Sequence, residues 1–273
     1  VLNYSASDVI VVPNGIVNTS EFTLELNGKT VTAVDNATGS YGLITNKAEL
    51  TIVGPGTISL TATNNRAWNA YSSVISNTVG GNLTVGEGVV IEHLGGTDMA
   101  YGIDNLTNGG IGDVYCTING GTVKSTYRAV RQFLNSDSKK NELIINGGVI
   151  EGVNKSIFFH DTSTKANNGK LIVADKAQLN GNVYLFVTEG STEWPVEVSI
   201  AKAALQGEST VDSKNVPYNY SVVEGEDTWT VEEYFTFGAF VEAVIAAEGT
   251  YDGKGVEVKI MPASGQAVAN DNG

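Results

Sequence analysis

The sequence predicts an all-β fold, a solenoid of short parallel strands wound into a β-helix. Three observations predict it. A strand–corner–strand unit recurs at near-constant spacing, its apolar positions fall into columns when the copies are stacked, and 32 glycines in 273 residues provide for many sharp corners.

The unit is clearest at Leu143–Gly152, LIINGGVIEG, where an alternating strand runs into Asn146-Gly147-Gly148 and emerges as a second strand. Copies begin at Leu24 (LELNGKTV), Leu50 (LTIVGPGTI), Leu83 (LTVGEGVVI), Cys116 (CTINGGTV) and Leu171 (LIVADKAQL), with a looser one at Val196. Their first residues lie 26, 33, 33, 27, 28 and 25 positions apart, which leaves room for several short strands per repeat and in most repeats none for a helix.

Stacking the copies gives three apolar columns. The first is Leu24, Leu50, Leu83, Cys116, Leu143, Leu171 and Val196. The second, two residues on, is Leu26, Ile52, Val85, Ile118, Ile145, Val173 and Val198. Past the corner the third is Val31, Ile58, Ile91, Val123, Ile150, Leu179 and Leu205. Side chains two apart on a strand share a face, so these columns are expected to point inward, rung upon rung.

A further strand falls midway through each repeat, at Tyr41 (YGLITN), Ser72 (SSVISN), Tyr101 (YGIDN), Tyr127 (YRAVRQ) and Ser156 (SIFFHD). Aligning these strands on their last residues gives a polar column of Asn46, Asn77, Asn105, Gln132 and Asp161. Amides at a corner are expected to bond the backbone above and below, satisfying groups that a sharp bend leaves unpaired. Phe158 and Phe159 adjoin, so one should point inward and the other outward, where it is a candidate oligomer contact.

Before the repeats, Val9–Val12 reads as a strand closed by Pro13-Asn14-Gly15. The longer repeats carry polar insertions at Ala62–Asn69, Gly95–Met99 and Asn135–Asn141, where specificity would reside. Periodicity fades from Gln206 to Asn219. Tyr220–Val231 reads as a hairpin, Phe237–Glu248 as an amphipathic helix stopped by Gly249, and a strand follows from Val256. The division is therefore 1–231 for the coil with its terminal strands, and 232–273 for a helix–strand cap or the start of a following module. Ile260–Gly273, IMPASGQAVANDNG, echoes Leu2–Gly15, LNYSASDVIVVPNG, which hints at a tandem array.

The net charge of −14 argues against a nucleic-acid partner, which needs a basic footprint. With 41% hydrophobic and 17% charged residues the chain is too apolar for disorder. No apolar run reaches the length needed to span a bilayer, so no membrane insertion is expected. The one cysteine, Cys116, lies in an inward column and reads as a small buried hydrophobe. A start at Val1, running at once toward a strand, reads as an excised or matured piece.

The motifs LELNGKTVT, LTIVGPGTI, TINGGTV, TYRAVRQF and LIINGGVIEG, over about residues 24–231, resemble the right-handed parallel β-helix, or pectin-lyase-like, superfamily. More narrowly they resemble non-enzymatic repeats of gut bacterial surface proteins and of phage fibre or decoration proteins. The resemblance implies an extracellular chain on a virion or bacterial cell surface, meeting a surface glycan or host receptor beside other copies or neighbouring structural subunits. It implies nothing specific about activity, because this architecture carries lyases, hydrolases, adhesins and inert spikes.

Two sets of residues carry chemistry. For an enzyme of the polysaccharide lyase or glycoside hydrolase type, Asp104, Arg131 and His160 with Asp161 beside it form a column in which an acid, a guanidinium and an imidazole meet an acidic sugar. The plainer reading of that column is a surface ladder of paired charges. For binding, Trp68, Tyr71, Tyr101, Tyr127 and Trp194 fall in or near loops and are candidates to stack on sugar rings. Two histidines and one cysteine are too few for a zinc site, and no cofactor fingerprint occurs. Calcium would find oxygens at Val34–Thr38 and Asp161–Asn168, but no spaced calcium motif is present, so no metal is expected. The balance favours a structural or adhesion protein that holds its loops out toward a glycan or host surface.

Overall fold

A computed structural model describes residues 9–12, 14–64, 70–96, 98–107, 112–135, 140–162, 168–187, 197–214 and 220–223. The first turn of the chain holds β1 (Val9–Val11), β2 (Ile16–Asn18) and β3 (Phe22–Glu25). There follow β4 (Thr30–Asp35), β5 (Tyr41–Asn46) and β6 (Glu49–Val53), then β7 (Gly56–Ala62), β8 (Ser72–Asn77) and β9 (Asn82–Val85). The middle turns are β10 (Val89–Leu94), β11 (Ala100–Thr107) and β12 (Val114–Ile118), and β13 (Thr122–Ser125), β14 (Arg128–Leu134) and β15 (Lys140–Ile145). After them come β16 (Gly148–Gly152), β17 (Lys155–Asp161), β18 (Asn168–Val173), β19 (Ala177–Asn180), β20 (Val183–Val187) and β21 (Glu197–Ala201). A short 3₁₀ turn at Lys202–Ala204 precedes β22 (Val211–Lys214) and β23 (Tyr220–Val223).

From β1 to β18 each strand pairs in parallel with the strand three places on, so the chain is a parallel β-solenoid with three strands to the turn. Sheet A runs β1-β4-β7-β10-β13-β16-β19, sheet B β2-β5-β8-β11-β14-β17-β20-β22, and sheet C β3-β6-β9-β12-β15-β18-β21-β23. The corner between sheets C and A is where the glycines are required. Gly121 and Gly148 have φ of +78° and +91°, and a Cβ on Gly148 would stand 2.6 Å from the Gly121 carbonyl oxygen. A side chain at either position would have both the wrong backbone and no room.

The core is the stack of inward columns. In sheet C, Leu50, Leu83, Cys116, Leu143 and Leu171 are direct neighbours in one file, each 2% exposed or less. In sheet A the third expected column is complete from Val31 to Leu179, and an isolated bridge adds Leu205. Truncating such a side chain, Leu143→Ala for example, costs about 2–5 kcal/mol through lost burial and the cavity left.

The end copies correct the sequence alignment. Phe22, rather than Leu24, faces Leu50, and Leu24 faces Ile52. At the other end Val198, rather than Val196, faces Leu171, and Ile200 faces Val173. Both slips are by two residues, which keeps the same side chains on the inner face and so leaves no trace in the alternation. The coil also continues where periodicity fades. Strand β22 pairs with β20, and β23 pairs in parallel with β21, so Tyr220–Val223 is a rung of the solenoid. Residues 224–273, with the expected remainder of the hairpin, the helix and the last strand, lie outside the described residues.

Candidate functional site

Sheet B differs from the other two in what it turns outward. Its inner face carries the file Ile16, Ile44, Ile75, Ile103, Val130, Ile157, Val183 and Val211. Two residues further along each strand is the amide file Asn18, Asn46, Asn77, Asn105 and Gln132, which continues as Phe159, Leu185 and Ser213. Asp161 is therefore not its last member. It faces Leu134 and Val187 on the neighbouring strands and is fully buried. Phe159 takes the position because SIFFHD extends two residues past the point where YRAVRQ was aligned.

The amides bond one another along the coil. Asn18 Nδ2 donates to Asn46 Oδ1 (2.8 Å), Asn46 Nδ2 to Asn77 Oδ1 (2.8 Å), and Asn77 Nδ2 to Asn105 Oδ1 (2.7 Å). They also serve the backbone, as expected: Asn77 Nδ2 donates to the Tyr115 carbonyl (2.8 Å), and Gln132 Nε2 to those of Asn141 and Lys170 (2.8 and 2.9 Å). Asn105 Nδ2 passes the chain to Asn141 Oδ1 (2.8 Å), a member that the sequence did not offer.

Two files face out, one between these inward files and one just past the amides. One reads Ser76, Asp104, Arg131, Phe158, Tyr184 and Asp212, and the other Leu106, Phe133, His160, Phe186 and Lys214. The expected column of Asp104, Arg131 and His160 is thus split. Asp104 and Arg131 are neighbours, but Phe158 follows them, and His160 belongs to the parallel file beside Phe133 and Phe186. Asp161 points to the opposite face of the strand from His160.

Asp104 and Arg131 are committed to each other. Arg131 donates from Nε to Asp104 Oδ1 at 2.7 Å and from Nη2 to Oδ2 at 2.5 Å, with Asp104 fully buried. Burial pulls the Arg131 pKa down, and the adjoining Asp104 carboxylate more than offsets it, leaving the guanidinium held above its ordinary value. Three rings enclose the guanidinium: Tyr101 at 4.5 Å, Phe133 at 4.8 Å and Tyr71 at 5.1 Å from its carbon. Tyr71 and Tyr101, expected to be exposed binding aromatics, are therefore walls around this pair. Tyr101 is fully buried and donates its hydroxyl to Met99 Sδ at 3.2 Å.

Toward β20 the same face becomes aromatic. Phe158 and Tyr184 stack with centroids 5.9 Å apart and planes 7° from parallel. His160 has Phe133 at 5.0 Å, Phe158 at 5.0 Å and Phe186 at 5.1 Å. Burial, and then the Arg131 and Arg128 charges, push its pKa down to about 4, so the ring is neutral at pH 7. Cations edge the rings. Arg128 lies 3.8 Å over Phe158 and 4.5 Å over Tyr127, Lys155 is 5.5 Å from Tyr184, and Lys214 is 5.9 Å from Phe186. Of the adjoining pair, Phe159 is in the core and Phe158 faces out, as expected. At 7% exposed under Arg128, Phe158 offers little area for an oligomer contact. Trp68 and Trp194 lie outside the described residues.

This face can stack apolar rings and offer guanidinium and ammonium donors beside them. A correct anchor would have found it: the central isoleucine or valine of each middle strand fixes Phe158 and Tyr184 in one file and His160 and Phe186 in the next. The sequence also gave no sign of a second polar cluster at the A–B corner. There buried Ser72 donates from Oγ to Asp35 Oδ2 (2.5 Å) and lies 2.9 Å from His93 Nε2. The serine proton is directed at the carboxylate rather than at the imidazole, the reverse of a nucleophile activated by its base. Among the described residues no group of three or more His, Cys, Asp and Glu is placed to hold a metal ion.

Comparison with known families, with curated proteins and with solved structures returned no match. What the strand pairing shows is the parallel β-solenoid architecture itself.

Proposed function

We propose that this solenoid is a non-enzymatic structural and adhesion protein, displayed outside the cell on a virion or bacterial surface, and that the outer face of sheet B binds a surface glycan. The observation that carries this reading is the part-exposed strip of Tyr184, His160 and Phe186, backed by Phe158 beneath Arg128 and edged by Arg128, Lys155 and Lys214. Aromatic faces stack against the C–H faces of sugar rings, and flanking cationic side chains donate to hydroxyl or carboxylate oxygens. The continuous sheets beneath make the strip rigid, so little ordering cost attends binding. The commitment of Asp104 to Arg131, and the neutral, ring-packed His160, support binding over bond cleavage.

A glycan array followed by calorimetry tests the reading. Binding is expected to weaken by about tenfold or more for Tyr184→Ala and for Phe186→Ala, in line with the loss of one ring contact each. Binding that survives both changes would count against the strip. New reducing ends or unsaturated products from an acidic polysaccharide, lost in His160→Ala, would replace this reading with the enzymatic one.

A further inference from the structure

The outer face of sheet B is rich in hydrogen-bond donors and short of acceptors. Arg128, Lys155 and Lys214, which edge its rings, can only donate. Asp104 gives both its oxygens to Arg131. Asp212 is held by Lys155 at 3.8 Å, by Asn182 at 3.3 Å and by Thr210 at 3.1 Å. A sugar hydroxyl accepts but also donates, so its proton needs an oxygen or nitrogen to receive it. A hydroxyl brought against this face without one would lose its bond to water and gain nothing in return.

His160 meets that need. It points outward from β17 and is part-exposed, with Phe133 and Phe186 on either side in its file and Phe158 alongside, each ring within 5.1 Å. Its ring nitrogens make no hydrogen bond among the described residues, and they are not among the unpartnered polar atoms sealed from solvent. Burial, and then the Arg131 and Arg128 charges, keep the ring neutral down to about pH 4. A neutral imidazole has one nitrogen that donates and one that accepts. A single polar group set among apolar rings in this way fixes the orientation of what stacks there.

We propose that His160 is the specificity-determining residue of this face, its imidazole accepting the proton of a free hydroxyl on a pyranose ring stacked against Tyr184 or Phe186. The proposal rests on the glycan reading and narrows it to sugars that carry such a hydroxyl beside their stacked face. It also ties binding to acidity. A protonated imidazole donates from both nitrogens and accepts from neither. The charges on the surrounding strands do not favour that form: Arg128, Arg131, Lys155 and Lys214 are cations, and the anions Asp104 and Asp212 are engaged. Affinity should therefore hold at pH 7 and fall by about tenfold per pH unit once the pH is below about 4, as the accepting form is used up. The Tyr184 hydroxyl also accepts, but a phenol does not titrate in acid.

Calorimetry on the full chain reads the outcome, with uncharged hexasaccharides of glucose, galactose and mannose as fixed probes beside any glycan that the array returns. Circular dichroism checks that each variant is folded at each pH. His160→Phe keeps a ring in the file and removes the acceptor, and should weaken binding at pH 7 by about tenfold. The amide oxygens of His160→Asn and His160→Gln stand near the places of the two ring nitrogens and do not titrate. One of the two should restore binding at pH 7 and abolish its loss in acid. Three results overturn the proposal while leaving the glycan reading in place: binding that Tyr184→Ala weakens and His160→Phe does not; both amide variants as weak as His160→Phe; or an acid loss that the restoring amide variant shares with the parent chain. If neither the fixed probes nor any glycan on the array binds the parent chain, the glycan reading fails and this proposal falls with it.

Discussion

Asp104 and Arg131 stand directly opposite each other on β11 and β14 and share two hydrogen bonds, of 2.7 and 2.5 Å, beneath three aromatic rings. A pair so placed separates two quantities that are often confused. Its net contribution is small, because desolvating both charges offsets much of their attraction. Breaking it is costly. Asp104→Asn should destabilise the chain by about 3–5 kcal/mol in a denaturant titration, since Arg131, only 8% exposed, keeps its charge and loses its partner. Replacing both, Asp104→Leu with Arg131→Met, should recover most of that loss. A double variant as unstable as the single one would mean that the cost lies in the ring packing.

The amide ladder makes a sharper demand at Asn77, which accepts from Asn46 and donates to both Asn105 Oδ1 and the Tyr115 carbonyl. Asn77→Asp keeps the shape and the acceptor but turns a carboxylate toward two acceptors. The expected loss at pH 7 is on the order of 3 kcal/mol, from a buried charge with repelling neighbours. Part of it should return as pH falls, because the protonated carboxyl regains one donor. Chemical denaturation of the variant at pH 7 and pH 4, each compared with the parent chain, measures both effects.

How far the sequence reaches depends on what breaks its degeneracy. The sheet A column from Val31 to Leu205 was legible from end to end because a glycine corner stands at a fixed offset before most of its members. The sheet C columns were legible only between Leu50 and Leu171. At the ends Phe22, Leu24 and Leu26 alternate equally well in either of two registers, and a slip of two residues changes no side chain's face. The same degeneracy displaced Asp161 into the amide file and His160 into the Asp104 file. Asn141 could not be found at all, because it reaches the ladder across a corner from β15 and no repeat spacing marks it. The aromatic strip was visible residue by residue as Phe133, Phe158, Tyr184 and Phe186, but only the register shows that they meet.

Cys116 occupies its predicted place between Leu83 and Leu143, and burial pushes its thiol up to about 12. The thiolate is the reactive species, so a disulfide reagent should leave the native chain unlabelled at pH 8. Labelling should appear only as the coil opens, and its rate should follow the unfolding transition. Cys116→Ser should cost about 1–3 kcal/mol by placing a hydroxyl among aliphatic side chains. Rapid labelling of folded protein would show that sheet C opens locally at this rung.

His160 should make sheet B less stable in acid. Its pKa is about 4 in the folded chain, against 6.5 for the free side chain, because burial and two arginines oppose its charge. Between those two values the unfolded chain holds a proton that the folded chain does not. Stability from this group is therefore complete above about pH 6.5 and is lost as pH falls toward 4, by on the order of 2–3 kcal/mol. His160→Phe fits the file between Phe133 and Phe186 and removes the titration. Subtracting the variant's stability-against-pH curve from the parent's cancels the carboxylates common to both. The difference should be flat above pH 7 and fall through that window. A difference that stays flat down to pH 4 would mean that His160 accepts its proton in place, with Phe133 and Phe186 moving aside to let water reach the ring.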